Sequence, residues 1–256
     1  MIDQSGKTVW ITGASSGIGE ALAKTFVANG GSAVLSGRNL AELQRVADET
    51  GAAERCLILP FDTQDFACLP AMLDKALNFQ GQVDVLVNNA GISQRSLAVE
   101  TDFAVYERIV GVDLLAPIAL TQALLPHLLA RGAGQLVMIS SVAGKAGVPM
   151  RTAYCAAKHG LIGYSDALRC EVAGQGVKVL VVSVDVPVNS NRERNRRNGF
   201  SRPFRMTPGV VLEALGHPAW VLRYLRTGGI PMMRNWMPYA PKGAGANQVA
   251  DMYGTL

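Results

Sequence analysis

The chain has 256 residues and a mass of 27.2 kDa, with 49% hydrophobic and 17% charged residues; this is enough apolar material for one large α/β domain and excludes global disorder. Its formal charge of +4 is unevenly divided, because residues 1–183 hold 14 Lys and Arg against 16 Asp and Glu, net −2, and residues 184–256 hold 10 against 4, net +6. The aromatics of that basic tail are not spaced as a base-stacking platform, no apolar run approaches the roughly 18 residues that cross a bilayer, and the opening MIDQSGK lacks the sections of a signal peptide, so neither nucleic acid nor membrane is an expected partner and the expected location is cytoplasmic.

The first apolar run, KTVWIT (7–12), reads as a strand and leads into TGASSGIGEALAKTF, a glycine-rich turn that opens a helix. Glycines at 13, 17 and 19 permit a tight turn and close backbone approach to a phosphate, and the free N–H groups and dipole of the helix start attract a pyrophosphate. Gly13, Ser15, Ser16, Gly17, Ile18 and Gly19 are therefore candidate dinucleotide contacts. The second strand, SAVLSG (32–37), is followed by Arg38 and Asn39, with the first acid delayed to Glu42. An acid at the strand end would hold a ribose 2′-hydroxyl, whereas Arg38 suits a 2′-phosphate, which points to NADP with NAD as the alternative; the plainer reading is an exposed arginine in a polar turn.

The third run, CLILPF (56–61), ends at Asp62, whose carboxylate either accepts from an adenine amino group or caps the next helix. The fourth, VDVLVN (83–88), closes in NNAG. There Asn side chains could tie adjacent strand ends together and Gly91 could let the backbone approach the cofactor, with Asn89 and Ala90 beside it; a plain turn is the alternative. The segment VGVDLLAPIALTQALLP that follows carries Asp113. The fifth run, QLVMIS (135–140), ends at Ser141, and the next helix contains YCAAK, which sets Tyr154 and Lys158 four residues apart on one face. An ammonium there stabilises a phenolate and lowers a tyrosine pKa that starts near about 10, making Tyr154 a usable acid or base; Ser141 would hydrogen-bond the substrate oxygen. The sixth run is VKVLVVS (177–183). Six strands joined by five helix-length crossovers imply a doubly wound, Rossmann-like, mostly parallel sheet with ligands at the strands' carboxyl ends. Cys56, Cys68, Cys155 and Cys170 form no CxxC pair and have no His at metal spacing, so reduced thiols and no metal site are expected.

TGASSGIG, NNAG, the ISS ending in Ser141 and YCAAK together resemble the short-chain dehydrogenase/reductase family over residues 1–183. The resemblance implies NAD(P)-dependent interconversion of a small-molecule alcohol and carbonyl, catalytic roles for Ser141, Tyr154 and Lys158, and a homodimer or homotetramer. It also implies an asparagine supporting a water relay to the lysine, where this chain has Asp113; a carboxylate there would attract Lys158, or Asp113 is an ordinary helix residue.

After residue 183 the pattern changes. Asp185 and Val186 stand where the family has Pro-Gly, TPGVVLEAL and AWVLRYLR read as two short amphipathic helices, and IPMMRNWMPYAPKGAGANQ contains three prolines and no strand period. Residues 184–256 are thus expected to be an atypical, helical or irregular segment without a strand beside 177–183. SVDVPVNSNRERNRRNGF and FRMTPGVVLEALGHPAWVLRYLRTGG resemble an internal piece of the FMN-dependent 2-hydroxy-acid dehydrogenases and oxidases, which implies flavin-side positions for Asp185 and Arg192. The tail is far shorter than the roughly 250 residues of such a barrel, so no complete flavin site is expected. Besides an NADP-dependent oxidoreductase, a nucleotide-binding scaffold with a replaced substrate region and an FMN enzyme stay open as readings.

Overall fold

The alternation of apolar runs and helical patterns folds into one sheet with helices on both faces. The computed structural model describes residues 3–184 and 249–251. Its main sheet has the strands β1 (Thr8–Thr12), β2 (Ser32–Gly37), β3 (Cys56–Pro60), β4 (Val85–Asn88), β6 (Gly134–Ser141) and β7 (Val177–Val184), all parallel, in the order β3-β2-β1-β4-β6-β7. The helices between them are α1 (Gly17–Ala28), α2 (Leu40–Glu49), α3 (Leu69–Gln80), α4 (Phe103–Val110), α5 (Ala116–Arg131) and α6 (Thr152–Glu171). Each expected strand is present within two residues of its sequence limits.

Strands buried on both faces must be apolar throughout, and all five residues of β1 are buried. Their side chains alternate. Val9 and Ile11 join Ala23, Val27, Leu43 and Val46 under α1 and α2, while Trp10 joins Leu86, Leu124 and Leu128 under α3 and α5. Trp10 keeps its indole N–H satisfied by donating to Ser36 Oγ at 2.8 Å. The strand order reverses between β1 and β4, so connections leave in opposite directions there and open a crevice at the carboxyl ends.

Two features depart from the sequence reading. A short strand β5 (Ile92–Gln94) pairs antiparallel with β8 (Val249–Asp251), Gln94 facing Val249 and Ile92 facing Asp251. The tail, expected to be helical or irregular, therefore contributes a strand; its pairing with β5 comes from tertiary contact that a three-residue stretch cannot announce by periodicity. Among the described residues no strand lies beyond β7. The two amphipathic helices expected in the tail, together with Asp185 and Arg192, lie outside the described residues. The second departure is in Phe103–Arg131, a continuous helical stretch of 29 residues that is long and apolar enough to cross a membrane by length and composition. In this fold Leu120, Leu124 and Leu128 of that stretch are buried in the core, where a helix packed on a sheet needs the same apolar content.

Leu124 is fully buried at the centre of the α5–sheet contact. Leu124→Ala is expected to lower unfolding free energy by about 2–5 kcal/mol, read as a lower urea midpoint with an unchanged slope.

Candidate active site

At the reversal point Thr12 ends β1 and locks the neighbouring strand end to it. Its hydroxyl accepts from Asn89 N–H at 3.0 Å and Ala90 N–H at 3.1 Å. Asn89 Nδ2 returns two bonds, to the carbonyls of Thr12 and Gly13, both at 3.0 Å. The tie expected of the NNAG asparagines is thus present, and Asn88 adds a bond of 3.2 Å to Thr121 Oγ1 on α5. Gly13 has φ 65°, and a Cβ there would lie 2.9 Å from Ala90 Cα, while one on Gly19 would run into the Gly13 carbonyl oxygen. Only glycine fits this crossing of backbones.

Ser16 caps α1 in extended conformation, yet its side chain makes no capping bond. Its Oγ and the Asn89 Oδ1 are buried without a hydrogen-bond partner among the described residues. Buried polar atoms are normally paired, and a helix start has N–H groups with no internal acceptor. The Asn89 Oδ1, an acceptor, would take a bond only from a donor, while the Ser16 hydroxyl, as a donor, and the first N–H groups of α1 fit the pyrophosphate of a dinucleotide. Ile18 packs its side chain against the α1–α2 core, leaving its backbone for that role.

Gly13, Ser15, Arg38, Asp62, Ala90 and Gly91 line one cleft with Asn39, Phe61 and Arg108. Arg38 is exposed there. Glu42, the first acid after β2, is turned away: its carboxylate pairs with Arg45 at 2.9 Å, in a network where Arg45 also meets Glu20 and Glu49. Asn39, not Asp62, does the capping work nearby, its Oδ1 accepting from Glu42 N–H at 3.2 Å. Asp62 accepts from Gln64 N–H at 3.0 Å inside its own turn, and α3 begins later, behind a single 3-10 turn, with Cys68 as its cap. The capping role offered for Asp62 is therefore not realised.

The second cluster lies next to this cleft. Ser141 ends β6, and its Oγ accepts from Ala143 N–H at 3.1 Å. Tyr154 and Lys158 sit one turn apart on α6 with the ammonium 5.6 Å from the ring centroid. Lys158 Nζ donates to Ile139 O at 3.0 Å and forms an ion pair with Asp113 Oδ2 at 3.2 Å; both side chains are essentially inaccessible. Asp113 lies in a π-helical turn, Gly111–Leu115, between α4 and α5, and its Oδ1 accepts from Ile92 N–H at 2.8 Å. Such a turn inserts one extra residue and re-aims a side chain inward. Burial, the largest single influence, pulls the Lys158 pKa down, but the Asp113 carboxylate and Tyr154 together outweigh it, and the pKa stands above the ordinary lysine value. Tyr154 is fully buried, and its hydroxyl has no hydrogen-bond partner among the described residues.

The fold thus gathers the expected residues into two adjoining groups, with Ser141, Tyr154 and Lys158 outside the cleft wall. Ile92, which lines the cleft and donates to Asp113, joins the groups. Sequence reasoning missed Thr12 and Gln94. Gln94 Oε1 accepts from Ala153 N–H at 2.9 Å and so caps the start of α6 from another element, a contact with no local signal. Thr12, directly before the glycine turn, was readable as a polar strand end. Among the described residues no group of three or more His, Cys, Asp or Glu could hold a metal ion.

The family model described as short chain dehydrogenase matches residues 7–197. A dehydrogenase/reductase SDR family protein 7-like from Anopheles gambiae is 43% identical over 185 residues, covering 70% of this chain and 58% of the relative. The ketoacyl reductase HetN of Nostoc is 37% identical over 218 residues, covering 82% and 76%. A metagenomic short-chain oxidoreductase crystallised in complex with NADP superposes with a TM-score of 0.68 at 33% identity, covering 71% of this chain and 83% of that one. The chain spans less than three-fifths of the length of the Anopheles relative. The family match passes residue 183, where the sequence pattern changes, and none of these findings carries the flavin-enzyme resemblance of the tail.

Removing one partner of a buried ion pair leaves the other charge uncompensated, so Asp113→Ala is expected to cost about 3–5 kcal/mol at pH 7. The wild-type Lys158 pKa is raised, so its contribution is fully present below the unfolded lysine value and is lost as pH rises through the folded value. In the variant burial, the largest single influence, is opposed only by Tyr154, so the folded pKa falls below the unfolded one and stability grows as pH rises between the two. Urea unfolding at pH 7 and pH 10 should therefore find a smaller gap between variant and wild type at the higher pH.

Proposed function

The chain belongs to the short-chain dehydrogenase family, and on that premise we propose that it is an NADP-dependent oxidoreductase interconverting an alcohol and a carbonyl compound. The observation that carries this reading is the buried Tyr154 hydroxyl, without a partner among the described residues, one helical turn from a charged, buried Lys158 and next to the glycine-lined cleft.

The Gly13–Gly19 turn and Arg38 would hold NADPH, which would supply the hydride for the carbonyl carbon. In that direction Tyr154 gives its proton to the carbonyl oxygen, and Lys158 stabilises the phenolate left behind. Ser141, at the end of β6, hydrogen-bonds the same oxygen and holds it toward the tyrosine. Asp113 keeps Lys158 protonated and fixes its position, while its own negative charge offsets part of the field at the phenolate. The preference for NADP rests on Arg38 in the cleft and on Glu42 being engaged by Arg45; the related metagenomic oxidoreductase in complex with NADP supports a nicotinamide cofactor. Residues 1–183 carry these groups. β8 pairs with β5, whose Ile92 also bonds Asp113, so we assign residues 249–251 to the wall of the substrate side. A small-molecule substrate, a homo-oligomeric state and a cytoplasmic location complete the reading.

Titration at one ionic strength should give a dissociation constant at least about tenfold lower for NADPH than for NADH, the size of one charge-assisted contact. Arg38→Ala should remove most of that ratio, and tighter NADH binding would overturn the cofactor assignment.

With a carbonyl substrate, Tyr154→Phe should lower kcat by about 10²–10⁴ and leave NADPH affinity nearly unchanged. Normal turnover in this variant would refute the mechanism.

A further inference from the structure

Lys158 is fixed from two sides, by the Asp113 carboxylate and by the Ile139 carbonyl, but nothing comparable holds Tyr154 among the described residues. Tyr154 sits in the first turn of α6, where backbone N–H groups have no acceptor within the helix. The internal ladder begins at Cys155, whose N–H donates to the Arg151 carbonyl at 2.7 Å. Arg151 occupies the cap position, yet its side chain makes no capping bond. Met150, just before it, has φ 64°, the one positive φ at a non-glycine residue among the described residues. Such backbone is strained and persists where surrounding contacts over-determine it. The helix that carries the tyrosine therefore starts without a local cap and on strained backbone.

The missing cap comes from β5. Gln94 is fully buried, and its Oε1 accepts from Ala153 N–H at 2.9 Å, the bond an N-cap side chain would make. Its Nε2 donates to Thr152 Oγ1 at 3.3 Å and, at greater length, to Thr101 Oγ1 at 3.5 Å. Turning the amide over would set its NH2 against the Ala153 N–H, so these bonds also fix its orientation. In the loop that follows, Ser96 N–H donates to the carbonyl of Met150 at 3.2 Å. At the other end of the same short strand, Ile92 N–H donates to Asp113 at 2.8 Å. β5 thus grips both members of the pair: Lys158 through Asp113, and Tyr154 through the residue that precedes it. We propose that Gln94 is the positioning residue for Tyr154, holding the first turn of α6 so that the phenol stands at a fixed place beside Lys158. Its consequence for turnover rests on the oxidoreductase reading above, in which Tyr154 passes the proton.

The test uses the full chain with NADP+ bound and its tyrosines labelled with carbon-13 at Cζ; the Tyr154 NMR signal is identified by its loss in Tyr154→Phe. Gln94→Met fills nearly the same space and removes the acceptor, whereas Gln94→Glu keeps an oxygen for the Ala153 N–H. In Gln94→Met the Tyr154 signal should shift or split, and kcat for a carbonyl substrate should fall about tenfold or more while KM and the NADPH dissociation constant stay within about twofold. Gln94→Glu should return the signal and most of the rate. Thr152→Ala, a change at an exposed position, removes one partner of Gln94 and should move the same signal by less, which decides the matter should Gln94→Met fail to fold. A Tyr154 signal unmoved by these changes, Gln94→Glu as impaired as Gln94→Met, or equal losses of rate and NADPH affinity would overturn the role. The NMR readout needs no turnover. A signal displaced in Gln94→Met and restored in Gln94→Glu, in a chain that oxidises no NADPH with a panel of aldehydes and ketones, would leave the positioning role standing and refute the oxidoreductase reading. NADPH oxidation with both signal and rate unmoved in Gln94→Met would do the reverse.

Discussion

The buried pair of Lys158 and Asp113 is the contact on which the site depends. Through it and two further hydrogen bonds, α6, the π-turn between α4 and α5, β5 and the end of β6 are held to a common centre. Neither charge reaches solvent, so each exists only because the other does. A buried pair of this kind contributes little net stability against an apolar replacement, but it tolerates few alternative geometries. Its value lies in fixing where the lysine stands relative to Tyr154.

That arrangement needs a rigid frame, and the parallel sheet supplies it. β1, β4 and β6 are central strands covered on both faces, so their carboxyl ends cannot shift without exposing core residues such as Trp10, Leu86 and Leu136. Function is placed where that frame stops. Thr12 and Asn89 close one pair of strand ends, and Gly13 and Gly19 let the backbone come closer than any side chain would allow. Groups that are normally paired when buried, Ser16 Oγ and the Tyr154 hydroxyl, have no hydrogen-bond partner among the described residues.

Charge is distributed with the same economy of position. On the outer side, Arg45 and Lys24 tie Glu20, Glu42 and Glu49 into a half-exposed network whose contribution to stability is small. Its consequence for the site is indirect, since engaging Glu42 leaves the cleft wall after β2 to Arg38. At the opposite end, Arg151 and Lys158 lie against the Tyr154 ring, and the lysine is paired with Asp113.

The sequence by itself determined the strands, the glycine turn and the pairing of Tyr154 with Lys158, because each is a local pattern: apolar runs, missing Cβ atoms and a spacing of four on a helix. It also flagged Asp113 as a carboxylate in an unexpected place, and left open whether that mattered. Tertiary structure decided what depends on distant segments meeting. It turned Asp113 inward through a π-turn to meet Lys158, engaged Glu42 with Arg45, and showed Asp62 bonding within its own turn instead of capping a helix. It paired Val249–Asp251 with β5, and set the Gln94 side chain against the start of α6 at Ala153. Such contacts carry no period or motif, because the energy that selects them comes from burial and charge pairing between elements that are neighbours only after the sheet has formed.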